Sequence, residues 1–253
     1  MPTVASKVRQ PGVFLRAEWR DLIMLNYEVD PQRLQQFIPR GTSLDLWQGR
    51  AYVSLVAFDF LKTRVLGIPI LGHRNFEEIN LRLYVVRETD AELRRGVVFI
   101  KEFVPRAAIA WVARTLYNEN YVAAPMRHHG SLDLDAAQTI SYEWKVADVW
   151  HRIGGTLTGP LSLPEENSEA EFITEHYWGY AKQRDGSTVE YQVEHPPWRV
   201  APLRHDIEIN AESVYGELWK EPLGAEPRSS FIAEGSPILV RRGVPLSDTR
   251  MPK

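Results

Sequence analysis

A rhythm of two residues limits this chain more than any other feature of its sequence. Apolar and polar residues alternate over 51–62, 75–87, 97–104, 126–134, 140–146, 189–195 and 200–211, and more briefly over 238–241. Successive side chains of an extended backbone point to opposite faces, so this period predicts strands with one buried face. Pro and Gly punctuate the intervals and are spread evenly along the chain, which marks turns and no linker. The expectation is a strand-rich barrel or sandwich, mainly β, forming one domain over residues 1–253. Helical signals are few. Asp30-Pro31 followed by Leu34, Phe37 and Ile38 predicts a short helix that Pro39 and Gly41 stop. A second helix is predicted over 107–117. A third opens at Ser168-Glu169-Ala170-Glu171, a capping-box spacing, and runs to Gly179.

Composition narrows the function classes. The 253 residues include 8 Trp, 10 Tyr and 9 Phe, enough to fill a large core, and carry a net charge of -3. That charge offers no long-range attraction to phosphate backbones or anionic lipid, so neither nucleic acid nor a membrane is expected as a partner. With no cysteine, disulfides, thiol nucleophiles and Cys-ligated metals are excluded, and a reducing cytoplasm is the expected location. Charges at Lys7, Arg9, Arg16, Glu18 and Arg20 leave no apolar run for a signal peptide. The apolar run 107–113 is too short to span a bilayer.

Polar residues in register with an apolar face point at the core or at a cavity within it. In 75–87 one face carries Phe76, Glu78, Asn80, Arg82, Tyr84 and Val86. Facing solvent, that stripe means little; lining a barrel, it is a site. In 189–195 the inward set Val189, Tyr191 and Val193 ends on His195, leaving Thr188, Glu190, Gln192 and Glu194 to water. In 97–104 Lys101 falls between Phe99 and Phe103 on one face, with Glu102 on the other, so one charge is expected to be buried. A desolvated lysine can become a nucleophile, although most such lysines extend to water. Met126 and His128 share a parity with Leu132 and Leu134, which turns His128 inward and His129 outward unless Gly130 introduces a bulge. His176 lies four residues from both Phe172 and Tyr180, on the apolar face of its predicted helix. Taken singly, each histidine is more readily explained as a core residue bonded to a backbone carbonyl.

Known catalytic signatures are missing: no H-E-x-x-H, no G-x-S-x-G, no phosphate-binding loop and no dinucleotide-type glycine pattern. No cofactor is expected. The histidines form no i, i+4 pair and adjacent His128 and His129 point apart, so no metal site is expected.

Three stretches carry a resemblance. They are Phe76-Glu77-Glu78-Ile79-Asn80-Leu81-Arg82-Leu83-Tyr84-Val85; Gly96-Val97-Val98-Phe99 together with Tyr117-Asn118-Glu119-Asn120-Tyr121; and Glu175-His176-Tyr177-Trp178-Gly179-Tyr180 with His195-Pro196-Pro197-Trp198. The chain resembles the YqjF-like family of uncharacterised proteins over about residues 19–240, with both termini peripheral. That family is similar in turn to acetoacetate decarboxylase. The resemblance implies a closed, cone-like β-barrel with a few flanking helices and an internal pocket. In the decarboxylase an aromatic-x-Glu strand supplies a pocket glutamate, which Phe76-Glu77-Glu78 matches at Glu78. A proline followed by two lysines supplies its Schiff-base amine, whereas here the equivalent stretch is Pro125-Met126-Arg127. A thioether cannot form an imine, so imine-based decarboxylation at that position is not expected.

Three readings stay open. One is an enzyme acting on a small organic acid or carbonyl compound by acid–base or electrostatic chemistry, with Glu78, His128 and His195 catalytic. In that reading Asn80, Arg82, Met126, Arg127, His176, Tyr180, Trp198 and Lys101 contact the ligand. Another is a binding protein that encloses a metabolite among Trp178, Tyr180 and Trp198 without converting it. The last places function on a surface, with the aromatic segment 176–180 joining copies of the chain into a homo-oligomer.

Overall fold

The computed structural model describes residues 10–69, 72, 74–105, 120–132 and 139–246. Fifteen strands dominate it: β1 (Val13–Val29), β2 (Ser43–Leu44), β3 (Ala51–Val65), β4 (Ile68–Pro69), β5 (Phe76–Glu88), β6 (Leu93–Val104), β7 (Tyr121–Ala123), β8 (Met126–His129), β9 (Thr139–Val146), β10 (Val149–Leu157), β11 (Trp178–Lys182), β12 (Thr188–Glu194), β13 (Val200–Glu208), β14 (Ser229–Arg241) and β15 (Val244–Pro245). Helices are short: α1 (Pro31–Leu34), α2 (Glu169–Thr174), α3 (Ala211–Tyr215) and α4 (Lys220–Gly224). The mainly β expectation therefore holds. The helix predicted over 107–117 lies outside the described residues.

Strand neighbours run β12-β11-β6-β5-β3-β1-β14, and a further pairing of β12 with β14, Val193 opposite Val240, returns the sequence to its start. These seven strands are thus hydrogen-bonded in a closed circuit, which leaves no free edge within it. From β14 the sheet continues outward through β13, β10, β9 and β8. Two cores follow. Leu22, Met24, Tyr52, Val56, Phe58, Tyr84, Phe231 and Trp198 pack together on one face of the circuit, joined by Phe172 and Ile173 of α2. The opposite face, carrying Ile23, Leu25, Val53, Leu55, Ile79, Leu81 and Leu83, packs against Tyr142, Trp144 and Ile153 of the outer sheet and against Val214, Trp219 and Leu223. The circuit is therefore buried on both faces, and any polar residue on the first face is held inside.

Some elements depart from the alternation for a common reason. β1 shows no continuous period of two in its sequence because a bulge between Arg20 and Ile23, with Asp21 at φ 55°, switches its faces. Leu15, Ala17 and Trp19 share a core with Leu22 and Met24, so even and odd positions exchange partway along. Gly235, opposite Arg20, accommodates this bulge at φ +74°; a Cβ there would lie 2.0 Å from the Trp19 carbonyl oxygen. Gly235→Ala is expected to cost about 3 kcal/mol or more, combining positive φ with a backbone clash, read as a lower urea midpoint at unchanged slope.

A second bulge, between Leu81 and Arg82 in the pairing of β5 with β6, sets Lys101 opposite Leu81 and Phe99 opposite Arg82. Phe99 and Phe103 consequently pack in different cores, and Lys101 does not lie between them on one face. In β12 two residues of the expected polar face are not wet: Glu190 is 5% exposed and is bound by Arg87 and Arg94, while Thr188 donates to the Arg40 carbonyl. The third helix is capped by Ser168 as predicted but stops at Thr174, so His176 stands in the connection to β11. The 126–134 strand ends at His129, where Gly130 takes φ +80°, and Asp133 and Leu134 lie outside the described residues.

Candidate functional site

The unbroken alternation of β5 delivers Phe76, Glu78, Asn80, Arg82 and Tyr84 to the interior of the circuit. Glu78, Asn80 and Arg82 are 3%, 2% and 8% exposed. Neighbouring strands add polar groups at the same level. Ser54 of β3 donates to Asn26 Oδ1 at 2.5 Å and lies 2.6 Å from the Tyr84 hydroxyl, and Asn26 Nδ2 donates to Ser229 Oγ at 3.0 Å. At the other end of the stripe Glu78 accepts from Asn80 Nδ2 at 3.0 Å and from the Tyr121 hydroxyl at 3.3 Å. Glu102 of β6, 0% exposed, is opposite Asn80. Along an extended strand, Cα positions four residues apart are separated by roughly 13 Å, so the stripe has an acidic end at Glu78 and a basic end at Arg82.

Arg82 is the exceptional member. Its guanidinium donates to the Tyr84 hydroxyl at 3.3 Å, to the Ile173 carbonyl at 3.4 Å and to Met24 Sδ at 3.8 Å. Among the described residues no carboxylate pairs with it. A buried cation left with long contacts to neutral groups costs several kcal/mol unless a counter-charge arrives. Two more interior groups are left partnerless among the described residues: Asn80 Oδ1 and His176 Nδ1. His176 Nε2 meets Asp45 Oδ2 at 3.1 Å, and the ring lies 4.7 Å from Tyr84 and 5.2 Å from Phe172.

His195 completes one wall. Its ring stacks on Trp198 at 4.1 Å and sits 4.7 Å from Tyr177, while Nδ1 lies 2.9 Å from the Pro196 carbonyl. Trp198 donates Nε1–H to Ser236 Oγ at 2.9 Å. Burial pushes both histidines down to about 4, the Arg82 charge adding to the effect in each case. The unfolded chain then binds more protons than the folded one between about pH 6.5 and 4, so stability falls as pH drops through that window. For His176, 7% exposed, the loss is on the order of 3 kcal/mol. Between pH 7, 5.5 and 4.5 the urea midpoint should fall relative to that of His176→Gln measured at the same pH values.

The interior thus gathers Glu78, Asn80, Arg82, His176, Trp198 and, at its wall, His195. The remaining candidates are elsewhere. Lys101 Nζ donates to the Val214 carbonyl at 2.5 Å on the opposite face, where burial lowers its proton affinity. Tyr180 belongs to that other core, its hydroxyl donating to the Arg94 carbonyl at 3.3 Å, and Trp178 lies under the Arg94 guanidinium at 4.1 Å. Met126 packs against the outer sheet. Arg127 is held at the surface by Glu143 and Trp150. His128, expected inward, is 40% exposed and lies 2.9 Å from Glu77. Periodicity alone misses Asn26, Ser54 and Tyr121 because small polar residues and a Tyr on a short strand carry no pattern of their own.

Comparison with known proteins agrees with this architecture. Crystal structures similar to the chain include acetoacetate decarboxylase from Legionella pneumophila, at TM-score 0.65 and 14% identity, covering 98% of this chain and 93% of that one. The enduracididine biosynthesis enzyme MppR complexed with pyruvate gives TM-score 0.64 at 14% identity, covering 98% and 96%. An acetoacetate decarboxylase-like enzyme from Sphingomonas wittichii RW1 gives 0.61 at 13%, covering 98% of each chain. At these identities the likeness establishes the fold. In sequence, the uncharacterized protein YqjF of Bacillus subtilis (strain 168) is 26% identical over 200 residues, 78% of each chain. The model of the DUF2071 family, "Uncharacterized conserved protein (COG2071)", matches residues 16–237, and the chain belongs to that family.

Proposed function

We propose that the interior of the strand circuit binds a small carboxylate-bearing carbonyl or hydroxy compound, its carboxylate on Arg82 and its reacting end toward Glu78. The supporting observation is the buried guanidinium of Arg82, which no described carboxylate neutralises and whose planar fork matches a carboxylate through two parallel hydrogen bonds. His176 Nδ1 and Asn80 Oδ1, both buried and unpartnered among the described residues, are free to contact the remaining polar groups of such a ligand. A similarly folded enzyme, MppR, has been crystallised with pyruvate, a ligand of this class.

Glu78, held by Tyr121 and Asn80, is positioned to take or give a proton at the carbon next to a carbonyl. Binding without conversion is the second reading. Among the described residues no lysine amine reaches this interior, so an imine has no nucleophile there.

A thermal-shift panel of keto acids, hydroxy acids, their esters and neutral carbonyl compounds tests the proposal. A ligand at about a hundred times its dissociation constant adds roughly 2.7 kcal/mol of stability. Free acids should raise the melting temperature and their methyl esters should not; equal shifts, or none, would overturn the assignment. Incubating the best hit then separates the two readings. Product formation that stops in Glu78→Gln, with the fold retained, marks an enzyme, and recovery of intact ligand marks a binding protein.

A further inference from the structure

Behind Glu78, on the opposite face of β5, lies a different cluster. Asp59 of β3 and Glu77 of β5 are cross-strand partners, and two like charges directly opposite each other destabilise a sheet. His128 reaches them from β8, a strand of the outer sheet, placing Nδ1 2.9 Å from Glu77 Oε1 and 3.6 Å from Asp59 Oδ1. One donor atom from each residue lies within 4.8 Å of the other two. Asp59 is 8% exposed and, among the described residues, accepts no hydrogen bond. Carboxylate oxygens from two adjacent strands and an imidazole nitrogen from a third therefore converge on one point.

We propose that Asp59, Glu77 and His128 form a binding site for a divalent transition-metal ion. Two carboxylate oxygens with one imidazole nitrogen suit Zn²⁺ and its first-row neighbours, whereas Mg²⁺ and Ca²⁺ prefer oxygen alone. Donors about 2.0–2.2 Å from an ion must approach one another to roughly 3–4 Å, which small rotations from the present geometry achieve. Partial exposure of His128 gives an ion access and leaves coordination positions open to water. Sequence spacing gave no hint of the site because each ligand comes from a different strand. Neither the Arg82 reading nor its tests bear on it.

The test is calorimetric titration of the tag-free, chelator-treated full-length chain with ZnCl₂ at pH 7, with MgCl₂ in parallel. One Zn²⁺ per chain at micromolar affinity or better is expected, weakening at lower pH as protons compete for the donor atoms. His128→Gln, a change at an exposed position that the fold tolerates, should weaken binding at least 100-fold, as should Asp59→Asn. Absence of Zn²⁺ binding in the wild type would overturn the proposal. So would affinity unchanged in His128→Gln, which would place the ion at another histidine, or Mg²⁺ binding as tight as Zn²⁺.

Discussion

Replacing Arg82 by Met is expected to weaken carboxylate binding by about 100-fold or more while leaving the unliganded protein as stable as before, or more stable. The two effects have one origin. The guanidinium is buried with contacts of 3.3 Å or longer to neutral acceptors, so it carries a desolvation penalty without an ion-pair return among the described residues. An apolar side chain of similar volume removes that penalty, a change worth roughly 1–4 kcal/mol in comparable buried sites. With ligand present the balance inverts, because a bidentate charge-assisted pair in a water-poor interior is lost. The acid response should change as well. Arg82 contributes to holding His176 and His195 low, so both should protonate at higher pH in Arg82→Met and the loss of stability between pH 6.5 and 4 should shrink. Calorimetric affinity and urea midpoints at two pH values check all three consequences. A variant that binds acids normally, or one that unfolds, would contradict the assignment of Arg82 as an uncompensated anion site.

The largest loss of stability is expected from Trp198→Ala, roughly 3–5 kcal/mol. Trp198 is 2% exposed, lies against Trp19 at 6.1 Å and against His195 at 4.1 Å, and ties its indole N–H to Ser236. It stands just before β13, on the segment by which β12 leads into that strand. Truncation would open a cavity between β1, β14 and the His195 wall that rigid strands cannot collapse to fill. Trp198→Phe should cost less than half as much, since most of the area is kept and the Ser236 hydroxyl, losing only the indole donor, still donates to the Pro237 carbonyl at 2.9 Å. Chemical denaturation of the two variants gives the comparison. Equal small losses would mean that the indole is not part of a packed interior.

Particular residues show how far the sequence could be read. The Glu78-Asn80-Arg82 stripe was legible because β5 runs straight through it, keeping the period of two intact across the site. Where a bulge intervenes the same logic fails: the β6 bulge near Lys101 puts Phe99 and Phe103 in different cores, and the Asp21 bulge concealed β1 altogether. His176 was placed in the interior by a helical spacing that the chain does not follow, since α2 ends two residues before it; its burial comes from the ring contacts with Tyr84 and Phe172. His128 departs from its expected inward position for a third reason. Its strand belongs to the outer sheet, so its alternation reports on the second core and the surface, not on the interior. A local period says which residues share a face but not which of two buried faces that is.

The described residues contain no helix long and apolar enough to cross a membrane. The proposed chemistry lies in the interior of the strand circuit, and a crystal structure with the strongest carboxylate hit examines that proposal directly. The expected result is a ligand enclosed by the circuit, its carboxylate oxygens about 2.7–2.9 Å from the Arg82 guanidinium and its other end toward Glu78. A ligand bound at the surface, or inside with its carboxylate away from Arg82, would contradict it.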